Sequence, residues 1–466
     1  MEELLIYLKN LSNESWLIEY DSYYFYQNTQ YFIEKINQIK SKINSPKIIL
    51  AESDQYKFLA AFLAGVMTNC PIFLCNYQWG KSEWQQVFSL VQPDLIIGLE
   101  QTHFFYQLLA NNDENKQNTS LVFDGKNTIM IPTGGSSGKI RFAIHTWGTL
   151  SNSVKGFIKY FKINKVDSFC CLPLYHVSGL MQFMRSFLTQ GKLALISYST
   201  LKKGVNLDQN ISDFFISLVP TQLQLLLELC PNWLAQFNTV LLGGASPNPL
   251  TLETAKKYKI NLAITYGMTE TASQIVTLKP QDFLQGNNST GQVLPHAEIR
   301  ILDSYNNSLA INKIGTILIK SSSLFLGYYP KIEHPNTIMT DDLGYLDQNN
   351  YLSLIGRKSQ KIITGGENVY PQEIETVILA TGMVKDVAVI GTPHRHWGQA
   401  VTAVYIPKTT LISSETIQQA IEEQISKFKQ PKYWICVDNF SRNQQGKINY
   451  KKLQEIAINY LNSQYF

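Results

Sequence analysis

Short β-branched runs alternate with helical stretches through the first three-quarters of the chain. The runs at 47–50, 71–74, 94–98, 128–131, 169–173 and 193–197 read as strands, and 214–219, 239–242 and 262–265 continue the series. Between the first two, 55–67 reads as a helix. Strands alternating with helices imply parallel sheets covered on both faces. Ligands of such sheets sit beyond the carboxyl ends of the strands, and several Gly-rich and polar clusters fall at those ends. After about residue 290 the texture changes. The segments 297–302 and 315–320 look like antiparallel strands, 340–350 like a tight polar segment, and 356–360 like a short charged connection. A last unit follows, with strands at 384–390 and 401–406 and helices at 414–428 and 451–461. The expected fold class is α/β with an α+β C-terminal domain. Residues 1–357 would form a large domain of mixed and parallel sheets flanked by helices, and 358–466 a small mobile one.

Composition narrows the function classes. A chain of 466 residues has room for two or three cores. Its 44% hydrophobic and 16% charged residues are an ordinary globular balance. The net charge of +4 is mild and the basic residues are dispersed, which argues against a nucleic-acid partner. Six cysteines and seven histidines lack metal-ligand spacing, so the thiols read as reduced and mostly buried. The first residues carry Glu2 and Glu3 and do not read as a signal peptide, and the longest helical apolar run, 58–67, is too short to span a bilayer. The expectation is a soluble cytoplasmic protein with no membrane span. A polar stretch at 111–118 reads as an exposed loop.

Five motifs carry candidate chemistry. The first is Thr-Gly-Gly-Ser-Ser-Gly-Lys over 133–139, directly after a strand. Its glycines let backbone approach a phosphate, the hydroxyls of Thr133, Ser136 and Ser137 can donate, Gly138 adds flexibility, and Lys139 supplies a point charge. It is not a Walker A loop, because Thr133 stands where that pattern needs Gly and Ile140 where it needs Ser or Thr. An ordinary Gly-Ser turn has the same composition. The second motif runs from Tyr266 through Gly267 and Thr269 to Glu270. Its ring can stack on a base and its carboxylate can hold Mg²⁺; a strand-to-helix turn capped by Thr269 is the plainer reading. The third surrounds His176, with Ser178 two residues on; a lone histidine in an apolar run is more often a core residue. The fourth pairs Asp341 and Asp342 with Arg357 further on, which suits either turns or a carboxylate that takes two ribose hydroxyls. The fifth is Gly446-Lys447, which in isolation reads as a solvated loop.

Taken in order, the five resemble the adenylate-forming superfamily of acyl-CoA synthetases, luciferases and peptide-synthetase adenylation domains, over roughly residues 45–455. The resemblance implies that ATP, Mg²⁺ and coenzyme A are used and that the reaction has two half-steps. A carboxylate attacks the α-phosphate to give an acyl-adenylate and pyrophosphate; the thiol of coenzyme A then attacks the acyl carbon. It implies an ATP/AMP site of Thr133, Ser136, Ser137, Gly138, Lys139, Gly243, Gly244, Ala245, Tyr266, Gly267, Thr269, Asp342 and Arg357, with Glu270 as the metal ligand. Lys447 would be the catalytic lysine delivered by the small domain, and His176 a gate beside the acyl pocket. After domain rotation, Gly365 and Gly366 would line the coenzyme A tunnel. Three positions depart from the family pattern: Gln360 at the hinge, Ser441 where Pro is usual, and Ile140-Arg141 where Pro-Lys is common.

Within the superfamily, the segments 172–179 and 266–274 look like the o-succinylbenzoate–CoA ligases of menaquinone and phylloquinone synthesis, and 133–147 like their photosynthetic branch. The implied partner is a small aromatic dicarboxylate. Its second, unreacting carboxylate needs a cation in the acyl pocket. Arg185, nine residues after His176, is the expected cation, helped by Ser178 or Ser273; a surface position at the end of its helix is the alternative.

Overall fold

The computed structural model describes residues 2–99, 127–134, 139–202, 210–442 and 448–465. The expected phosphate contacts Ser136, Ser137 and Gly138, the expected catalytic Lys447 and the polar stretch 111–118 lie outside the described residues.

Three sheets organise the chain. The first has the order Leu95–Ile97, Ile48–Leu50, Ile72–Leu74, Thr128–Gly134, Ile140–Thr146 and is parallel except for its last strand. The helix Gln55–Met67 starts where the Asp54 carboxylate accepts from the amides of Tyr56 and Lys57, both at 2.9 Å. It is apolar nearly all round because it is buried between this sheet and the helix Ser22–Lys40. The N-terminal helices Glu2–Leu11 and Ser22–Lys40 had no counterpart in the pattern above. They close the same core through Leu8, Phe25, Phe32 and Ile36.

The second sheet has eleven strands. Its parallel part runs Leu262–Gly267, Thr239–Leu242, Phe214–Leu218, Asp167–Cys170, Leu193–Leu195. Its antiparallel part includes Gln274–Thr277, Gly291–Val293, Ala297–Leu302, Gly315–Ser321, Ile338–Leu346 and Tyr351–Arg357. Here the expected tight polar segment at 340–350 is corrected: most of it is strand, paired on both sides. Thr340 and Asp342 are partly buried on one face of the strand and Asp341 is exposed on the other, so a strand interior to the sheet, and not a turn, uses them.

The third sheet is built after residue 360 from Glu367–Val369, Ile362–Thr364, Gly398–Pro407 and Val384–His394, with Tyr433–Cys436 beside Gly398–Pro407. The helix expected over 414–428 ends at Ile421, and turns carry Ile425 onto the same core as Ile417 and Ile421. Four cysteines are buried, Cys230 is half-buried and Cys436 exposed; all six are free thiols. No helix among the described residues is long and apolar enough to cross a membrane.

Candidate active site

Two of the sequence motifs, 243–245 and 266–270, lie at the carboxyl ends of neighbouring parallel strands of the second sheet. Thr239–Leu242 runs into Gly243, Gly244 and Ala245. Gly244 has φ +89°, a backbone conformation that side chains with a Cβ rarely adopt. Next to it, Leu262–Gly267 delivers Tyr266 and then bulges. A Cβ at Gly267 would stand 2.2 Å from the carbonyl oxygen of Ser273, so only glycine fits where the chain folds back on itself. The reading of Thr269 as a cap is corrected. The turn Thr269–Thr271 is a single 3₁₀ turn, and Thr271 Oγ1 is the atom that accepts, from the Met268 amide at 3.0 Å.

Tyr266, Asp342 and Arg357 form one network. The Tyr266 hydroxyl donates to Asp342 Oδ2 at 2.7 Å, and Arg357 Nε donates to Oδ1 at 3.3 Å. Asp342 and Arg357 face each other across an antiparallel pair of strands, which fixes the second contact by register. Burial, then the Asp342 charge, pushes the Tyr266 hydroxyl far above its usual range, so it remains a donor. The neighbouring Asp341 accepts from the Ser359 amide at 3.0 Å and from its hydroxyl, which ties the 3₁₀ turn Lys358–Gln360 to the sheet.

Glu270 is buried and held by a side chain outside all five motifs. The Tyr328 hydroxyl donates to Glu270 Oε1, and the Arg141 guanidinium lies over the Tyr328 ring, 4.3 Å from its centroid. The other oxygen of Glu270 takes no hydrogen bond from a described residue. Beneath the turn, the fully buried His145 donates through Nε2 to the Thr269 carbonyl at 2.8 Å, with Nδ1 3.0 Å from Thr149 Oγ1. Burial lowers its pKa to about 4, so it is neutral. Thr133 sits at the end of Thr128–Gly134 opposite Arg141, and Lys139 is exposed just before Ile140–Thr146.

The residues expected at the acyl side lie on or beside the helix Val177–Leu188. His176 occupies its N-cap position with its ring against Tyr175, centroids 4.6 Å apart. Arg185 is 3% exposed, which overturns the alternative of a surface arginine. Its Nη2 donates to Ser273 Oγ and to Gln274 Oε1, both at 2.7 Å, and its guanidinium stacks 4.3 Å from the centroid of Phe157. Burial pulls its pKa down to about 9. No described carboxylate pairs with it. Among the described residues it is bonded by Ser273 and Gln274 and not by Ser178, which lies two turns away. Gln274 stood in a motif already singled out; only its neighbour Ser273 was named.

The third sheet faces this region. Gln372 Nε2 donates to Ser246 Oγ at 2.6 Å, and a cavity of about 130 Å³ between the two units is lined by Gly244, Ala245, Lys385, Asp386 and Arg442, among others. Arg442 is ion-paired with Asp386 and bridges to Ile448. Gly365 and Gly366 form the exposed turn between Ile362–Thr364 and Glu367–Val369.

Comparison with known proteins agrees with this geometry. Residues 44–329 match the family model described as AMP-binding enzyme, and 373–447 the model of the AMP-binding enzyme C-terminal domain. The 2-succinylbenzoate–CoA ligase of Listeria monocytogenes is 31% identical over 424 residues, spanning 87% of this chain and 88% of that one. The enzyme of the same name from Oceanobacillus iheyensis is 32% identical over 344 residues, 71% of this chain and 70% of that one. The o-succinylbenzoate CoA synthetase of Bacillus subtilis, solved with the acyl-adenylate intermediate OSB-AMP, superposes with a TM-score of 0.83 at 23% identity, covering 97% of both chains. The same enzyme with ATP and magnesium ion gives 0.82 at 22%, covering 97% of this chain and 98% of that one. With the Tyr-Gly-x-Thr-Glu turn beside the strand Thr128–Gly134 and Tyr266 bonded to the Asp342–Arg357 pair, the chain belongs to the AMP-binding enzyme family of adenylate-forming acid–CoA ligases.

Proposed function

We propose that the chain is an o-succinylbenzoate–CoA ligase acting in the cytoplasm in menaquinone or phylloquinone synthesis. The observation that carries the choice of acid is Arg185, a buried cation with no described carboxylate partner at the acyl end. A ligand anion is the economical way to neutralise it. The ligases that match over most of the chain carry the same substrate in their names.

In this reading the succinyl carboxylate oxygen attacks the α-phosphorus of ATP, the bond to the bridging oxygen breaks, and diphosphate leaves. The sulfur of coenzyme A then attacks the acyl carbon and AMP departs. Asp342 takes the ribose hydroxyls, held for that by Tyr266 and Arg357. Gly243, Gly244 and Ala245 flank the adenine, and Thr133, Ser136, Ser137, Gly138 and Lys139 grip the phosphates. A single carboxylate with one oxygen free suits Mg²⁺, which takes its other ligands from phosphate and water; Glu270 would hold it, and the ion would screen the phosphate charge. Lys447 neutralises the α-phosphate when residues 358–466 close on 1–357, and Gly365 and Gly366 line the thiol path after that unit turns. His176 gates the acyl pocket.

A coupled assay with o-succinylbenzoate, ATP, Mg²⁺ and coenzyme A tests the proposal. The expected products are o-succinylbenzoyl-CoA, AMP and diphosphate. Diphosphate release with fatty or simple aryl acids but not with o-succinylbenzoate would reassign the substrate, and ADP as product would remove the mechanism.

A further inference from the structure

The acyl end holds two buried donors that lack an acceptor: Nε of Arg185 and Nε2 of Gln274. The other contacts of these side chains fix where both point. Arg185 Nη2 donates to Gln274 Oε1 and to Ser273 Oγ, and Ser273 Oγ donates to the same Gln274 Oε1 at 2.6 Å. A guanidinium can only donate, so the amide must present its oxygen to Arg185. The flipped amide would set donor against donor. The NH₂ group is thereby turned away from Arg185 and kept as a donor. Gln274 is 8% exposed and its Nε2 is closed off from bulk solvent. Two unsatisfied donors beside an unneutralised cation come from two elements, Val177–Leu188 and Gln274–Thr277. An anionic group with several lone pairs that entered between these elements would supply the missing acceptors.

We infer that Gln274 is a specificity-determining residue: its Nε2 donates to the unreacting carboxylate of the acid while its Oε1 holds Arg185 in place. The inference rests on the reading of the chain as a dicarboxylate-activating ligase and adds to it a neutral amide that tells a dicarboxylate from a monocarboxylate. A glutamine that only packs would act on every acid alike. One that donates to the second carboxylate acts only on acids that have it.

The test compares o-succinylbenzoate with 4-oxo-4-phenylbutanoate, the same skeleton without the ring carboxylate, by diphosphate release in the wild type, Gln274→Glu and Gln274→Met. Gln274→Glu sets a carboxylate against Arg185 and removes the donor. It is expected to lower kcat/KM for o-succinylbenzoate by ~10²-fold or more while leaving the monocarboxylate within about threefold. Gln274→Met, of similar volume and uncharged, guards against a charge-induced folding defect. It is expected to raise KM for o-succinylbenzoate by roughly tenfold with kcat retained. Equal losses on both acids, or an unchanged ratio between them in both variants, would overturn the role of Gln274. A wild type that does not turn over o-succinylbenzoate at all would instead overturn the substrate assignment on which the role depends.

Discussion

In the proposed reading the nucleotide end and the acyl end of the site each contain an arginine, and the fold treats the two in opposite ways. Arg357 is half exposed and reaches Asp342, which also accepts from Tyr266. That network is complete before any ligand arrives. Arg185 is almost wholly buried, bonded to neutral groups only, with Nε left without a partner. A satisfied network trades one set of polar contacts for another on binding, so its net gain per contact is modest. An uncompensated buried cation carries a cost that a matching anion relieves, and a ligand without the anion leaves it standing. On the proposed function, the nucleotide end is thus built for a ligand that is always the same, and the acyl end for choosing among acids.

The largest expected effect comes from a group outside both ends. If both ends only bind and orient, charge at the reacting phosphate must be neutralised from the small unit. Lys447→Ala is then expected to slow adenylate formation by ~10³-fold while preformed acyl-adenylate still reacts with coenzyme A. Single-turnover assays of the two half-reactions check this, and equal damage to both would refute the assigned role. Next comes the acyl end. Arg185→Ala should lower kcat/KM for o-succinylbenzoate by ~10²-fold, through KM, with the KM for ATP unchanged. An unchanged acid KM would remove the contrast drawn above. Asp342→Asn sharpens it from the other side. It keeps the shape and loses the charge, and is expected to raise the KM for ATP roughly tenfold while sparing the acid. A variant that moved both KM values together would mean that the two ends are one cooperative unit.

How much of this could be read from the sequence follows the same division. The parallel strands were legible because each is a short apolar run bounded by turn residues; Thr239–Leu242 and the helix Gln55–Met67 match their expected bounds. The strand Ile338–Leu346 was not, because Thr340, Asp341 and Asp342 look like turn chemistry until their partners on the neighbouring strands and turn are known. Arg185 was found by asking what a second carboxylate needs, which is chemistry and not pattern. Tyr328, His145 and Gln274 were missed as partners because their contacts span 58, 124 and 89 residues in sequence. No local spacing encodes such meetings; only the folded sheet makes them.

The smallest expected effect lies beneath the nucleotide end and is read as stability. His145 Nε2 faces a carbonyl, which only accepts, so Nε2 carries a proton, and burial, outweighing the pull of that carbonyl, keeps the ring neutral. Its pKa in the fold is lowered to about 4, against 6.5 for the free side chain. Between those values the unfolded chain takes up a proton that the folded one refuses. The contribution is therefore complete above about pH 6.5, is lost as pH falls towards 4, and levels off below. The slope from this one group is at most about 1.4 kcal/mol per pH unit. His296, also lowered to about 4 by burial, adds a slope of the same sign. Glu375, raised by burial to about 7 from 4.5, opposes them, losing stability as pH rises through that window. Wild-type stability alone would mix the three. His145→Gln keeps a donor near the Thr269 carbonyl and cannot titrate, so the difference in urea midpoint between it and the wild type, measured from pH 7.5 to 4.5, isolates the histidine. The gap is expected to move in favour of the variant as pH falls. A gap independent of pH would mean that His145 is charged in the fold, and the Thr269 turn would then need a different support.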